Sequence, residues 1–345
     1  MNDSPRASAA LGAGSPGATQ SDLARELGVS RTLVSLALRD QPGVSADMRA
    51  RILATAQRRG YRRNGLAADL ATRRRTAVGL HLLDARNDIY STVLRGVQEV
   101  VTDAQQRLVL AVDTAPGHPD PRAVDALVEA NVGVIISTAL TGSKDDAVAL
   151  NARSPLVALF RHIAGVDSVY PDDAAGTRLA LEHLLGLGHR RIAHLTGPAV
   201  TGYTTRRDTY VSVMTERGLT PEVIVSDGYS REVAAAAAAD LMARPAALRP
   251  TAVMTHNDEL AFAVREAAFA HGLAVPRDLS VVGYDNSRTA GLTGVELTTV
   301  DVDAPAMSHA AARAALRRVA FPAAPCVDQR FEPSLRLRSS TAAPV

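Results

Sequence analysis

From Thr76 onward, short apolar runs alternate with segments of helical period, and this alternation constrains the fold more than any other feature of the 345 residues. The runs are Ala77 to Leu83, Leu108 to Val112, Val132 to Ile136, Leu156 to Phe160, Ile192 to Leu195, Val223 to Val225, Ala252 to Thr255 and Val281 to Tyr284. Helix-period stretches separate them, among them Ser91 to Gln105, Gly176 to Leu187, Val233 to Ala243 and Glu259 to His271. Alternating β and α elements predict parallel sheets covered by helices. About 260 residues give room for two such lobes with a ligand between them.

Upstream, from Thr19 to Arg75, the period is helical only. Thr19 and Asp22 match a capping box, Leu23, Ala24 and Leu27 mark the apolar face of a first helix, and Gly28 ends it. Ser30 caps a second helix over Arg31 to Leu38, whose Val34, Ala37 and Leu38 face inward; Pro42 and Gly43 follow it as breakers. Ser45 opens a third helix through Gln57, with Met48, Ile52, Leu53 and Ala56 as the expected buried stripe and Gly60 as the stop. Two short helices around a Gly turn with a third behind them match a helix-turn-helix, a pattern that any small three-helix bundle shares.

Charge is distributed unevenly. Residues 1 to 78 hold 13 Arg against 6 acidic residues, although the whole chain carries only +2. A basic end on an acidic body predicts a polyanion-binding module at the N-terminus. All basic residues except Lys144 are Arg, which we read as codon bias because surfaces with no expected ligand share it. The single cysteine, Cys326, excludes an intrachain disulfide and a multi-Cys zinc site. Met1 to Ala18 is rich in Ser, Ala, Gly and Pro without an apolar stretch, so a disordered tail over 1–18 is expected rather than an export signal. No apolar run reaches membrane-spanning length, and the expected location is the cytoplasm.

The residues say more than the spacing does. Asp22-Leu-Ala-Arg-Glu-Leu-Gly-Val-Ser-Arg-Thr-Leu-Val-Ser-Leu-Ala-Leu, then Pro-Gly-Val-Ser and Arg-Arg-Gly-Tyr61-Arg-Arg-Asn64, resembles the DNA-binding headpiece of the LacI/GalR family of bacterial transcription regulators. Asp172-Asp-Ala-Ala-Gly-Thr-Arg-Leu, Thr255-His-Asn257-Asp, Val275-Pro-Arg-Asp-Leu-Ser-Val-Val-Gly-Tyr-Asp285 and Leu297-Thr-Thr-Val are similar to that family's effector-binding core. The resemblance spans roughly residues 19 to 338 and implies an all-α helix-turn-helix headpiece plus a two-lobed α/β core of periplasmic-binding-protein type. The boundaries it implies are 19–63 for the headpiece, 64–75 for a hinge helix and linker, and 76–345 for the effector-binding and dimerisation core.

In that family the second helix enters the major groove. The corresponding residues here are Arg31 and Thr32, with Ser35 and Leu36 one turn on. Arg31 can offer guanine O6 and N7 a bidentate fork. Leu36 departs from the Arg often found at its position, which points to a thymine methyl or to no base contact. Ser30, Arg39 and Thr19, with Tyr61 and Asn64, complete the implied DNA-contacting set, mostly on phosphates. Leu70 occupies the position of the hinge leucine that wedges into the minor groove. Arg63 in place of the usual Pro, and the carboxylate of Asp69, are departures within that segment.

For the effector, the matching positions are Asp172, Arg206, Asn257 and Asp285, with Arg161 as a further candidate and Tyr90, Phe160 and Tyr203 as possible stacking partners. Arg206 is placed by counting back from Tyr210, and Arg207 is the alternative. With no Trp, the ligand is expected to be small or polar, a sugar or related metabolite. The resemblance implies no cofactor and no metal. It also implies a homodimer on a pseudopalindromic double-stranded operator and no role at a membrane. An enzyme is the main alternative class: Gly12, Gly14 and Gly17 spell G-x-G-x-x-G but lack a preceding strand, and His183, His189 and His194 are spaced too widely to chelate a metal. A bare solute-binding protein is the other alternative, which an N-terminal headpiece of +7 disfavours.

Overall fold

A computed structural model describes residues 18–38, 40–61, 75–114, 118, 120–140, 142–198 and 204–345. The chain forms two compact units, Met1–Arg73 and Arg74–Val345.

The first unit contains helices α1 (Gln20–Leu27), α2 (Arg31–Leu38) and α3 (Ala46–Arg58). Each begins at a side-chain cap. The Thr19 hydroxyl accepts from Asp22 N while the Asp22 carboxylate accepts from Thr19 N, and Ser30 and Ser45 accept from Leu33 N and Met48 N. Gly28 ends α1 in the left-handed conformation, φ 63°. Arg49 on α3 donates to the Ala37 and Gln41 carbonyls, giving the end of α2 acceptor partners. Leu23, Val34 and Ile52 form the fully buried centre of this bundle. Leu53 is a correction. It stands 48% exposed while Thr55 is buried, because residue 53 lies about 100° around the helix from Ile52 whereas 55 and 56 flank the buried stripe.

The second unit has two six-stranded sheets. In the first, β1 (Val78–Leu82), β2 (Leu108–Val112), β3 (Val134–Ser137), β4 (Leu156–Leu159), β5 (Asp167–Pro171) and β11 (Asp328–Phe331) lie in the order β11-β5-β4-β3-β1-β2, all parallel. In the second, β6 (Ile192–Thr196), β7 (Glu222–Val225), β8 (Ala252–Thr255), β9 (Ser280–Tyr284), β10 (Thr298–Asp301) and β12 (Ser334–Arg336) lie in the order β12-β10-β9-β8-β6-β7, with only β12 antiparallel. The helices of this unit are α4 (Asp88–Asp103), α5 (Pro121–Glu129), α6 (Lys144–Arg153), α7 (Asp173–Gly186), α8 (Thr205–Glu216), α9 (Arg231–Met242), α10 (Asp258–Ala270) and α11 (Ala304–Ala320).

The chain crosses between lobes three times, after β5, β10 and β11, so neither lobe is a continuous stretch of sequence. Strand order reverses between β3 and β1 in one sheet and between β8 and β6 in the other. Ligands of open parallel sheets bind at the carboxyl ends of strands near such reversals. Gly176 permits one close approach on which the site depends: a Cβ there would lie 2.3 Å from the Tyr284 hydroxyl, so only glycine lets α7 pack this tightly on β9.

Candidate functional site: a solvent-facing helix and an interlobe cleft

On the headpiece, α2 turns Val34 and Ala37 inward and exposes Arg31 and Thr32 on its first turn, with Ser35 and Leu36 half-buried a turn later. The acids of this unit are largely matched: Asp22 pairs with Arg25, Asp40 with Arg49, and Glu26 with Arg58 and Arg59. The hydrogen bond from Arg59 is the main reason the Glu26 carboxyl is held below its ordinary range. Arg31 forms no hydrogen bond or ion pair with any of the described residues, which leaves its fork available. Thr19 and Ser30 are helix caps at positive helix ends. Tyr61 packs against the bundle core and its hydroxyl accepts from Gln20 at 3.1 Å. Arg39, Asn64, Leu70 and Tyr203 lie outside the described residues.

In the core, residues that directly follow strand ends meet between the lobes. Leu83 follows β1, Phe160 β4, His256 and Asn257 β8, and Asp285 β9; with Asn87, Tyr90, Arg206 and Tyr229 they enclose a cavity of about 30 Å³. Phe160 (φ 72°) and Asp285 (φ 112°) hold left-handed backbone, a strain of about 1–3 kcal/mol each that concentrates at binding sites. Other hollows, about 300 Å³ beside Arg190 and Arg217 and about 210 Å³ beside Arg249, open at the opposite, amino ends of the second sheet.

Arg206 organises the cavity. Its Nε donates to Asp173 Oδ1 at 2.9 Å, its Nη1 donates to the His256 carbonyl at 2.5 Å and lies 3.7 Å from Asp285, and its guanidinium stacks 3.6 Å above the Tyr284 ring. The Tyr284 hydroxyl donates to the same Asp173 oxygen at 2.9 Å. Burial opposes the Arg206 charge, but Asp173, Tyr284 and Asp285 more than reverse this, and its pKa is raised. Burial pushes the Asp285 carboxyl well above its ordinary range and holds His256 well below its own, so His256 is neutral at pH 7. The Asn257 amide is partly committed: it caps α10 through Leu260 N and donates to the Tyr229 carbonyl.

Of the residues expected here, Tyr90, Phe160, Arg206, Asn257 and Asp285 come together and two do not. Asp172 is displaced because it sits at the helix cap: its carboxylate accepts from Ala175 N and pairs with Arg330 at 3.2 Å, leaving the inward position to Asp173. Arg161 is buried after β4 and is not on the cavity wall. Arg206 faces the cavity while Arg207 pairs with Asp208 outside it. Sequence reasoning missed Asn87, Asp173, Tyr229 and His256. Only Asp173 left a usable signal, since the first Asp of a doublet at a helix start is used up as the cap.

Two contacts latch the lobes. Asp88 accepts from both the backbone N–H and the hydroxyl of Thr289, and Arg86 lies 3.8 Å from Glu232. With the lobes so held, the cavity between them measures about 30 Å³. Next to the latch, burial together with the charges of Asp88, Glu232 and Asp258 pushes the Glu259 carboxyl up to about 7 against the pull of Arg231. A carboxyl raised on folding contributes stability that is present below its unfolded value, 4.5, and is lost as pH rises through about 7. Glu259→Gln should therefore match the parent near pH 5 and exceed it near pH 8 by about 1–2 kcal/mol after allowance for partial exposure. Melting curves at both pH values check this; a variant equally shifted at both would show that the carboxyl is not the cause.

A Ser–His–Asp arrangement also exists in the first lobe. Ser137 Oγ and Asp113 Oδ1 each lie 2.9 Å from a His81 ring nitrogen. Ser137 is 0% exposed and its hydroxyl donates to the Ala139 carbonyl at 2.6 Å, so the hydroxyl is committed and the trio ties β1 and β3 to the residue after β2, with His81 bordering a hollow of about 110 Å³ beside Asp120 and Asp146. Among the described residues no group of three or more His, Cys, Asp or Glu side chains could hold a metal ion. No helix among them is long and apolar enough to cross a membrane.

A family model described as a periplasmic binding protein-like domain matches residues 181–341. The HTH-type transcriptional regulator MalR of Streptomyces coelicolor is 33% identical over 338 residues, 93% of this chain and 96% of its own. A LacI transcriptional regulator of known structure from a Rhodococcus species is 31% identical, with a TM-score of 0.69 over 77% of this chain and 98% of its own. The Lac repressor dimer bound to operator and the anti-inducer ONPF is 24% identical and has the same fold, with a TM-score of 0.80 over 95% of this chain and 100% of its own.

Proposed function

The chain belongs to the LacI family of helix-turn-helix transcription regulators, and we propose that it is a repressor whose operator affinity is set by a small sugar-class metabolite in the interlobe cleft. The observation that carries this reading is the cleft itself. Arg206, Asp285, Asn87 and Asn257 bring paired donors and acceptors together beside the rings of Tyr90, Phe160 and Tyr229, the combination that suits hydroxyls on an apolar ring face. Arg31 and Thr32 read base edges, and Ser30, Thr19, Arg39 and Tyr61 hold phosphates. A homodimer places two headpieces on a pseudopalindrome, with Leu70 wedged between base steps in the hinge.

Ligand control follows from closure. A ligand that favours one separation of the lobes favours one state of the hinge segment 64–75, and its effect on operator affinity equals its differential affinity for the two states. The relatives are regulators rather than enzymes, which supports a protein that performs no reaction.

The test is selection of bound duplexes from a random pool by the purified protein, with and without a mixture of neutral sugars. Enrichment of a pseudopalindrome whose recovery changes with the mixture is expected. Recovery of no sequence above non-specific binding would leave a solute-binding protein without a regulatory DNA role.

A further inference from the structure

We propose that the cleft is built for an uncharged, hydroxyl-bearing ligand and rejects phosphorylated or carboxylated ones, because Asp173 neutralises Arg206, the one cation among the described residues of the cavity wall, before any ligand arrives. This rests on the reading of the cleft as the effector site and goes beyond it to the ligand's charge.

Among the described residues lining the cavity, Arg206 is the only Arg or Lys. Its side chain is 8% exposed and Asp173, 14% exposed, meets its Nε at 2.9 Å, with Asp285 as a second carboxyl 3.7 Å from Nη1. Asp173 matches the Arg206 guanidinium of this wall, Asp285 stands by as a further carboxyl, and His256, neutral by burial, adds no positive charge; the buried Arg161 guanidinium, which follows Phe160, lies off the wall. A phosphate entering here would be desolvated against a balanced pair and one further carboxyl, an unmatched buried charge that the site does not compensate. Nε and Nη1 are engaged, which leaves Nη2 as the guanidinium nitrogen available to a ligand, a donor suited to hydroxyl oxygens.

Asp173 is thus a positioning residue. One of its oxygens accepts from both Arg206 Nε and the Tyr284 hydroxyl, and these two hydrogen bonds hold the guanidinium flat on the ring. Its place at the start of α7 is set by Asp172 taking the cap and by Gly176 allowing α7 to reach Tyr284.

The experiment compares full-length wild-type protein with Asp173→Asn and with the double variant Asp173→Asn/Arg206→Gln, the last as control for phosphate held by the headpiece. Binding of inorganic phosphate is followed by calorimetry at matched ionic strength. Wild type and double variant should bind it equally weakly, and Asp173→Asn should gain roughly tenfold or more as the Arg206 charge is unmasked. No gain, or a gain that persists in the double variant, overturns the proposal. A second measurement needs no variant: glucose against glucose 6-phosphate, and ribose against ribose 5-phosphate, tested for effects on operator binding by wild type. A response to either phosphate overturns the charge argument while leaving the regulator reading intact. A response confined to neutral sugars supports both. A phosphate gain in the variant, with no sugar of any kind acting on operator binding, upholds the charge argument and tells against the regulator reading.

Discussion

Arg206→Ala should lower the melting temperature of the core by about 6–20 °C and abolish the effector response. The side chain is buried with Asp173, Tyr284, Asp285 and the His256 carbonyl arranged around it. Removing it leaves a buried carboxylate without its partner, a defect of about 3–5 kcal/mol. For a domain of this size each kcal/mol corresponds to about 2–4 °C. The headpiece has its own core at Leu23, Val34 and Ile52, so its helical signal and its non-specific affinity for DNA should persist. Differential scanning calorimetry, with operator binding measured in neutral sugars, reads both parts. Arg206→Lys should recover much of the stability but not the response, since an ammonium offers the charge without the planar fork that lies on Tyr284. An unchanged melting temperature in Arg206→Ala would mean that the guanidinium is not the centre of the cluster.

Arg31→Ala should cost about 2–6 kcal/mol of specific operator affinity in a homodimer, or roughly 30-fold to twenty-thousandfold, since each bidentate guanine contact contributes about 1–3 kcal/mol and two half-sites lose one each. The exposed side chain forms no hydrogen bond or ion pair with the described residues, so thermal stability should not change. Arg51 provides the contrast. It too is exposed and forms no ion pair with the described residues, but it sits on α3 rather than on the first turn of α2. Arg51→Ala should at most weaken binding uniformly across sequences and lower its salt dependence. Anisotropy titrations on the selected operator and on a scrambled duplex separate the two. Equal losses on both duplexes for Arg31→Ala would make it a phosphate contact.

The expected elements that the structure contains were those with short-range causes. Thr19 with Asp22, Ser45 and Gly28 bound their helices through contacts within a few residues. The apolar run at Ala252 to Thr255 coincides with β8 because a central parallel strand is buried on both faces and has to be apolar throughout, whereas the run at Leu108 to Val112 forms the edge strand β2, which is only half-buried and leaves Leu110 exposed. The edge strand β11, Asp-Gln-Arg-Phe, carries no such pattern, since its side chains are largely exposed and it pairs only with β5, about 160 residues earlier in the chain.

The helical headpiece and the alternation of strands and helices were legible in the residues, and the resemblance put forward Asp172, Arg206, Asn257 and Asp285, with Arg161, Tyr90, Phe160 and Tyr203 as further candidates; of these Asp172 and Arg161 lie off the cavity wall. Tertiary structure alone decided which acid serves Arg206, that Arg207 turns outward, and that Tyr229 and His256 complete the wall. Caps and periodicities are local and leave their mark on neighbouring residues. The cleft joins side chains from positions 83 to 285 across two lobes, and the choice of Asp173 over Asp172 depends on one close approach, α7 against Tyr284 at Gly176, between segments over a hundred residues apart.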